Sequence, residues 1–167
     1  MMKTTMKQVR ELSFLDFLRD HHKTMTGLFR QFETEPVRMP NAPDLKEKLV
    51  NEIYSEIEIH ARMEKDLLYP VLEKIAGKPV RLESMGVLED VESVIVTLKR
   101  SNPHGMDFDE RFGGMIEDFE FHMVAEESEL KTLSHSRPEP FRDLGRKMQH
   151  FQQSQAKWRP ETKRKRA

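Results

Sequence analysis

The sequence predicts an all-α protein, folded as an up-down-up-down four-helix bundle with an additional C-terminal helix. Apolar residues recur at spacings of three and four in five successive segments, and no stretch sustains the alternation that a half-buried strand needs. Glycine is scarce, with 7 residues, and the 9 prolines cluster at a few places that divide the segments. The first four segments are long, roughly 19 to 29 residues, and their short connections favour antiparallel neighbours in a bundle.

Two helices are predicted before residue 80. The first covers residues 13 to 34, begins at Ser13 as its N-cap, and stops at the stretch PVRMPNAP. The second begins at Asp44, and Pro70 is expected to end or kink it before Gly77 closes the remainder. Their predicted core faces carry Phe14, Phe17, Leu18, Met25, Leu28, Phe29 and Phe32 in the first helix, and Leu49, Ile53, Ile57, Met63, Leu67 and Leu68 in the second.

Three further helices are predicted after residue 80. The third segment covers about residues 82 to 100 and ends in the SNPHG turn, and the fourth starts near Asp107. A fifth follows Pro138 and Pro140. We therefore divide the chain into a bundle over residues 13–135, an appended helix over 138–158 that packs on the outside or on a partner, and a basic disordered tail over 159–167.

Composition narrows the classes of function. The 28 basic residues balance 29 acidic residues, so no global field attracts nucleic acid or an anionic membrane. The basic tail is expected to be a solvated terminus, with a nucleic-acid or partner contact as the alternative. The chain has no cysteine, which excludes disulfides, thiolate nucleophiles, cysteine-ligated iron–sulfur clusters and zinc fingers. Neither a signal-type apolar run nor a membrane span is readable, so we expect a soluble cytoplasmic protein of open oligomeric state.

Ionisable side chains are expected on the apolar faces of three helices. They are His60 and Glu64 on the second helix, His122 and Glu126 on the fourth, and His21 and His22 on the first. Each His-x-x-x-Glu pair is four residues apart, so both of its side chains project from one side of a helix. A buried carboxylate needs a cation or a hydrogen-bonded histidine, and two facing pairs can share a metal. A hydrogen-bonded pair that fixes helix register is the structural alternative.

The ligand types restrict the metal. Imidazole with carboxylate and no sulfur suits iron, manganese or zinc, and bridging carboxylates favour a two-metal centre. Ferritin-like di-iron bundles need Glu-x-x-His on two helices, and no histidine here has glutamate three residues before it. That family is therefore disfavoured.

At these positions the chain resembles the hemerythrin HHE cation-binding family. The stretch DFLRDHHKTMTGLFRQFE resembles the first-helix element of the family, and HARMEKDLLYP is similar to its second-helix His-x-x-x-Glu element, including the apolar-aromatic-proline ending. The stretch FHMVAEESEL resembles the fourth-helix element. The match covers about residues 13 to 133, and its second element is the most specific.

The resemblance implies a set of metal ligands, namely His22, His60, Glu64, His122 and Glu126, with the two glutamates bridging two iron ions. His22 has apolar residues at the family's spacing, whereas His21 lies nearer the centre of the apolar stripe and is the alternative. The third-helix histidine of the family falls on Leu88, which cannot bind a metal. We expect Glu92, one turn further, or Glu89 beside it to supply an oxygen instead. An open coordination position, a single metal and a decayed site are the other possibilities.

The resemblance implies a non-haem iron protein that binds or senses dioxygen, nitric oxide or iron through this site. Zinc or manganese could replace iron in a nitrogen and oxygen site. One alternative is a helical interaction module with a degenerate site, which binds a protein partner through the C-terminal helix and tail. Another is an enzyme that repairs iron centres or handles oxidants. No catalytic base or nucleophile is readable, so a metal-binding or sensor protein is preferred to an enzyme.

Overall fold

The structure, a computed structural model, describes residues 13–34 and 43–157. Within these ranges the chain forms helices and connections and contains no strand. The α-helices are α1 (Phe14–Thr34), α2 (Pro43–Met63), α3 (Tyr69–Ala76), α4 (Glu83–Leu98), α5 (Phe108–Ser136) and α6 (Leu144–Lys157). A π-helical turn (Glu64–Leu68) joins α2 to α3, and a short 3₁₀ turn (Glu139–Phe141) precedes α6. The predicted all-α bundle with an additional C-terminal helix is confirmed.

The helix ends follow the expected local signals. The backbone N–H of Asp16 donates to the side-chain oxygen of Ser13 at 3.2 Å, as in an N-cap. Gly77 ends α3 with φ of 67°, a left-handed conformation that suits glycine because it has no Cβ. These two residues bound the first and second predicted segments close to the expected positions.

Pro70 does not end the second segment, because the helix passes through it with a π turn. Proline has no N–H, and its ring crowds the carbonyl group four residues earlier in a regular helix. In the π turn the backbone N–H of Tyr69 donates to the carbonyl of Glu64, five residues back. The insertion widens the helix immediately before Pro70, and α3 follows the π turn without a break.

The buried apolar residues form two clusters at successive levels of the bundle. The first joins α1, α2, α4 and α5 and includes Met25, Phe29, Ile57, Leu88, Phe112 and Phe119. The second joins α1, the end of α2, the π turn, α3, the start of α4, α5 and α6, and it includes Phe14, Phe17, Leu18, Met63, Leu68, Met85, Leu130, Leu144 and Met148. Along each of α1, α2 and α5, the predicted metal ligands fall between members of the two clusters. The polar site therefore lies at the boundary between two apolar layers.

The appended helix α6 packs on the bundle. Phe141, Leu144 and Met148 are buried, and the rings of Phe141 and Phe14 stack with centroids 4.8 Å apart. These contacts place α6 over α1 and the end of α2. Residue 158 and the predicted tail over 159–167 lie outside the described residues.

No helix in the described part of the chain combines the length and the apolar character needed to cross a lipid bilayer.

Candidate metal centre

Two His-x-x-x-Glu pairs meet in the middle of the bundle. His60 and Glu64 come from α2 and the π turn, and His122 and Glu126 come from α5. One potential ligand atom of each residue lies within 4.8 Å of those of the other three, and all four side chains are buried. The structure therefore brings together four of the five residues that the resemblance implies.

The carboxylate of Glu64 links the two histidines. Its Oε1 atom lies 2.5 Å from Nε2 of His60 and 3.0 Å from Nε2 of His122. The two imidazole nitrogens are themselves 3.2 Å apart. Three potential metal-ligand atoms thus lie within 3.2 Å of one another.

Glu126 faces three imidazoles from the other side of the group. Its Oε2 atom lies 3.2 Å from Nε2 of His22 and 3.5 Å from Nε2 of His60. The distance to Nε2 of His122 is 3.6 Å. Both carboxylate oxygens are buried without a hydrogen bond. A buried carboxylate in this state is costly unless a cation neutralises it.

His22 joins the group through Glu126 and is held from the solvent side by Glu127. The Nδ1–H of His22 donates to Oε1 of Glu127 at 2.7 Å, and Arg19 contacts the other Glu127 oxygen at 3.5 Å. Because a carboxylate only accepts, this contact assigns the proton to Nδ1 and turns Nε2 toward Glu126. His22 lies outside the tightest four-residue group but reaches its edge.

The start of α4 fixes the ring of His122. The Nδ1–H of His122 donates to the carbonyl oxygen of Ser84 at 2.8 Å, which leaves Nε2 facing the two carboxylates. The hydroxyl of Ser84 in turn donates to Glu129 at 2.7 Å. Orientation of a ligand histidine by a carbonyl group is a common feature of metal sites. Helix α4 has Leu88 where the family that the chain resembles has a histidine, but it still positions His122 on α5.

Tyr69 is a site neighbour that the sequence analysis missed. Its hydroxyl donates to Oε2 of Glu64 at 3.0 Å. Burial and the nearby charge of Glu64 raise the pKa of Tyr69, so its hydroxyl keeps its proton. Both oxygens of Glu64 are therefore engaged, one by histidines and the other by tyrosine.

His21 is buried beside the group and turns toward α6. Its ring is parallel to that of His60, with centroids 5.2 Å apart, and the side-chain amide of Gln152 lies 3.0 Å from its Nδ1. Burial, together with the charges of His60 and His22, lowers the pKa of His21 to about 3, so its imidazole is neutral at pH 7.

The buried carboxylates favour protons on the histidines when no metal is bound. Burial alone lowers the pKa of His60, but Glu64 and Glu126 outweigh it and raise this pKa to about 10. The pKa of His122 is raised by the same two carboxylates against the effect of burial. Burial raises the pKa of Glu126, and contacts with His22 and His60 reverse this and hold it well below its usual range. Protons thus occupy the place that a cation could take.

The two residues expected to replace the third-helix histidine do not reach the group. Glu92 accepts a hydrogen bond from Lys65 at 2.6 Å, and Glu89 forms an ion pair with Arg81 at 2.8 Å. Both carboxylates are accessible to solvent, where a nearby lysine or arginine satisfies them. Leu88 itself is fully buried in the first apolar cluster. Neither Glu92 nor Glu89 therefore joins the group of His60, Glu64, His122 and Glu126, and α4 has an apolar side chain at position 88.

A groove of about 960 Å³ opens between α1 and α5. His22 lies in the wall of this groove. The cationic residues that line the groove are Arg19, Lys23, Arg30 and Lys131. The carboxylates of Glu120 and Glu127 also line it. Of the histidines grouped at the site, His22 alone lines this groove, so it separates the buried carboxylates from the solvent on this side.

The donor set fits a hard or borderline transition metal. It offers imidazole nitrogens and carboxylate oxygens with no sulfur, which suits iron, manganese or zinc. The unsatisfied oxygens of Glu126 provide the negative charge that such an ion would neutralise. The buried His/Glu group is therefore a metal-binding arrangement, and its chemistry alone leaves the identity of the metal open.

Comparison with known proteins agrees with this geometry. Residues 13–134 match the hemerythrin HHE cation-binding domain. Uncharacterized proteins from Mycobacterium bovis and from two strains of Mycobacterium tuberculosis are each 29% identical over 136 residues, which covers 80% of this chain and 81% of theirs. No solved structure matches the chain significantly. The family match covers most of the chain and includes all of the grouped residues, so the protein belongs to the hemerythrin HHE cation-binding domain family.

Proposed function

We propose that this protein binds non-haem iron as a two-iron centre and uses it to bind or sense a small diatomic ligand. In this proposal His22, His60 and His122 would supply nitrogen ligands, and Glu64 and Glu126 would supply the carboxylate oxygens that hold the ions. The protein acts as a metal-binding or sensor protein, with an enzymatic role left as the alternative. A cytoplasmic location remains a prediction from the sequence.

The position of Glu126 carries the proposal. One of its oxygens faces imidazole nitrogens from α1, α2 and α5 at 3.2 to 3.6 Å, and neither oxygen has a hydrogen bond. Glu64 opposes it and contacts two of the same histidines. Two carboxylates among three imidazoles suit a pair of ions, because both oxygens of Glu126 lack a hydrogen bond and Glu64 adds a second carboxylate.

Iron would supply redox activity and a coordination position for dioxygen or nitric oxide. The residues of the chain hold the ligand atoms in place, neutralise the ions and exclude water. Leu88 leaves α4 without a ligand, which favours an incomplete coordination shell open to a small molecule. The groove beside His22 provides the approach from solvent.

The alternative of an interaction module with a degenerate site has less support. A site without a function would be free to lose its buried charges, because each buried ionisable group lowers stability unless it is compensated. Here the grouped histidines and glutamates are all buried, and two groups outside the site, the Tyr69 hydroxyl and the Ser84 carbonyl, orient them. Helix α6 also buries its apolar residues Leu144 and Met148 against the bundle, so this face is not open to a partner.

Metal loading tests the proposal. The full chain, loaded anaerobically with ferrous iron and then exposed to air, should hold about two irons per chain and show a charge-transfer band of an oxidised two-iron centre. Iron saturation should also raise the melting temperature, with about 2.7 kcal/mol of stabilisation at one hundred times the dissociation constant. Fewer than about 0.2 irons per chain would rule the proposal out.

Matched histidine variants separate a site from non-specific binding. His60→Ala and His122→Ala should abolish both iron retention and the melting shift. His104→Ala is the control, because His104 pairs with Glu47 at the surface. Equal iron content in all three variants would show that the metal binds elsewhere.

A further inference from the structure

His21 is a buried imidazole that the proposed ligand set leaves out. It is only 2% exposed, and its ring stacks on that of His60. Its Nδ1 contacts Gln152, whereas its Nε2 is buried without any hydrogen-bond partner. A buried ring nitrogen in this state costs free energy, so it requires a reason.

The contact to His21 comes from α6, which lies outside the region that matches the family. Leu144 and Met148 anchor α6 in the second apolar cluster, and Gln152, one turn beyond Met148, turns its amide toward α1. The next residue, Gln153, is exposed. The helix thus presents one of two adjacent glutamines to the buried histidine.

An amide side chain can support either neutral form of an imidazole. In the structure the N–H of Gln152 faces Nδ1 of His21 and donates to it, so the single proton of the neutral ring lies on Nε2. A half-turn of the amide presents its carbonyl oxygen instead, which accepts from Nδ1–H and leaves the lone pair of Nε2 free. The exchange removes one proton from Nε2 and adds one at Nδ1, so the net charge is unchanged.

We propose that His21 is a further metal ligand through Nε2 and that Gln152 is its positioning residue. The first helix then supplies two imidazoles, His21 and His22, while α4 still contributes no ligand at Leu88. Helix α6 becomes part of the metal site. The inference rests on the proposed metal-binding function and adds a ligand to it.

Nitrogen NMR of the ¹⁵N-histidine-labelled full chain tests this assignment, with Zn²⁺ as a diamagnetic probe. Without metal, His21 should carry its proton on Nε2. With Zn²⁺ bound, the proton should be on Nδ1, and the Nε2 resonance should move to the range of a metal-bound nitrogen.

The same spectra distinguish failure of the inference from failure of the proposed function. If His60 and His122 shift with Zn²⁺ while His21 keeps its Nε2 proton, the metal site stands and the assignment of His21 is wrong. If no histidine responds to Zn²⁺, the metal-binding function itself fails.

Substitution of Gln152 provides a second measurement. Gln152→Leu should weaken Zn²⁺ binding about tenfold in a competition titration with a chromophoric chelator, the loss typical of a positioning residue. Gln152→Glu keeps the acceptor for Nδ1–H and should retain the affinity. Gln153→Leu is the matched control and should behave as wild type. Equal affinity of Gln152→Leu and Gln153→Leu would overturn the role of Gln152.

Discussion

Tyr69 holds Glu64 at two points, because its hydroxyl donates to the carboxylate and its backbone N–H donates to the Glu64 carbonyl. The backbone contact is the five-residue hydrogen bond of the π turn. The conformation of the helix and the orientation of a candidate metal ligand are thus set by the same residue.

Tyr69→Phe should destabilise the metal-free protein by about 1 to 2 kcal/mol, because it removes a hydrogen bond to a buried charged group. Urea unfolding in the presence of a chelator measures the change. Tyr54→Phe is the control, since the buried hydroxyl of Tyr54 has no hydrogen bond and its removal should be neutral or stabilising. A loss of similar size in both variants would contradict the role given to the Tyr69 hydroxyl.

Glu129→Ala should weaken metal binding although Glu129 lies outside the group. It releases the hydroxyl of Ser84, whose carbonyl oxygen holds Nδ1–H of His122. Loss of such outer support typically lowers metal affinity about 10 to 100-fold. Competition with a chelator gives the affinity, and Glu73→Ala, at an exposed position of α3, should leave it unchanged. Identical metal affinities in the two variants would contradict a role of the Glu129–Ser84 contact in metal binding.

The metal-free protein should be most stable near neutral pH. The folded pKa of His60, about 10, exceeds its unfolded value, so its contribution to stability is complete below about pH 6.5 and is lost as the pH rises toward 10. The folded pKa of His21, about 3, lies below its unfolded value, so its protonation in the unfolded chain lowers stability as the pH falls from about 6.5 toward 3.

Urea unfolding across this range, with a chelator present, checks the pH dependence. His60→Gln should remove much of the alkaline decline, whereas the surface variant His104→Gln should retain it. A flat free energy of unfolding between about pH 7 and pH 10 in the wild type would contradict the raised pKa of His60.

Leu88→His should lower the stability of the metal-free protein and strengthen its stabilisation by metal. Replacing a fully buried leucine with histidine should cost about 2 to 4 kcal/mol without metal, because it brings a polar ring into an apolar layer. Metal should recover part of this loss, because position 88 corresponds to the third-helix histidine of the family. Leu98→His, at a buried position ten residues further along α4, should be destabilised without recovery. Melting curves with and without Zn²⁺ compare the two, and equal recovery would place Leu88 away from the ions.

The helices of the bundle and the two inward-facing His-x-x-x-Glu pairs were predictable from the spacing of apolar and ionisable residues taken together. His60 and Glu64, like His122 and Glu126, stand four residues apart, so their shared face follows from helix geometry. The apolar stripes then indicated that both pairs turn inward. Bringing two pairs together required only that the helices pack side by side, which the short connections favour.

The supporting contacts were not predictable, and each for a physical reason. Tyr69 lies five residues after Glu64, about 140° away around a regular helix, and only the π turn brings it round. Ser84 acts through a backbone carbonyl, which any residue type has. Glu92 shares much of the face of Leu88, but Lys65 offers it an ion pair at the surface, which no pattern within one helix could reveal.

Because α6 packs on the bundle, the packed helices extend beyond the end of the region that matches the family. The family match ends at residue 134, before α6 begins. A chain that stopped at residue 136 would keep every matched residue, yet it would uncover Phe14 and Phe17 and leave His21 without its amide partner. We expect such a shortened chain to be less stable and to bind metal less tightly. In this protein, the region that matches the family is smaller than the set of helices that pack together.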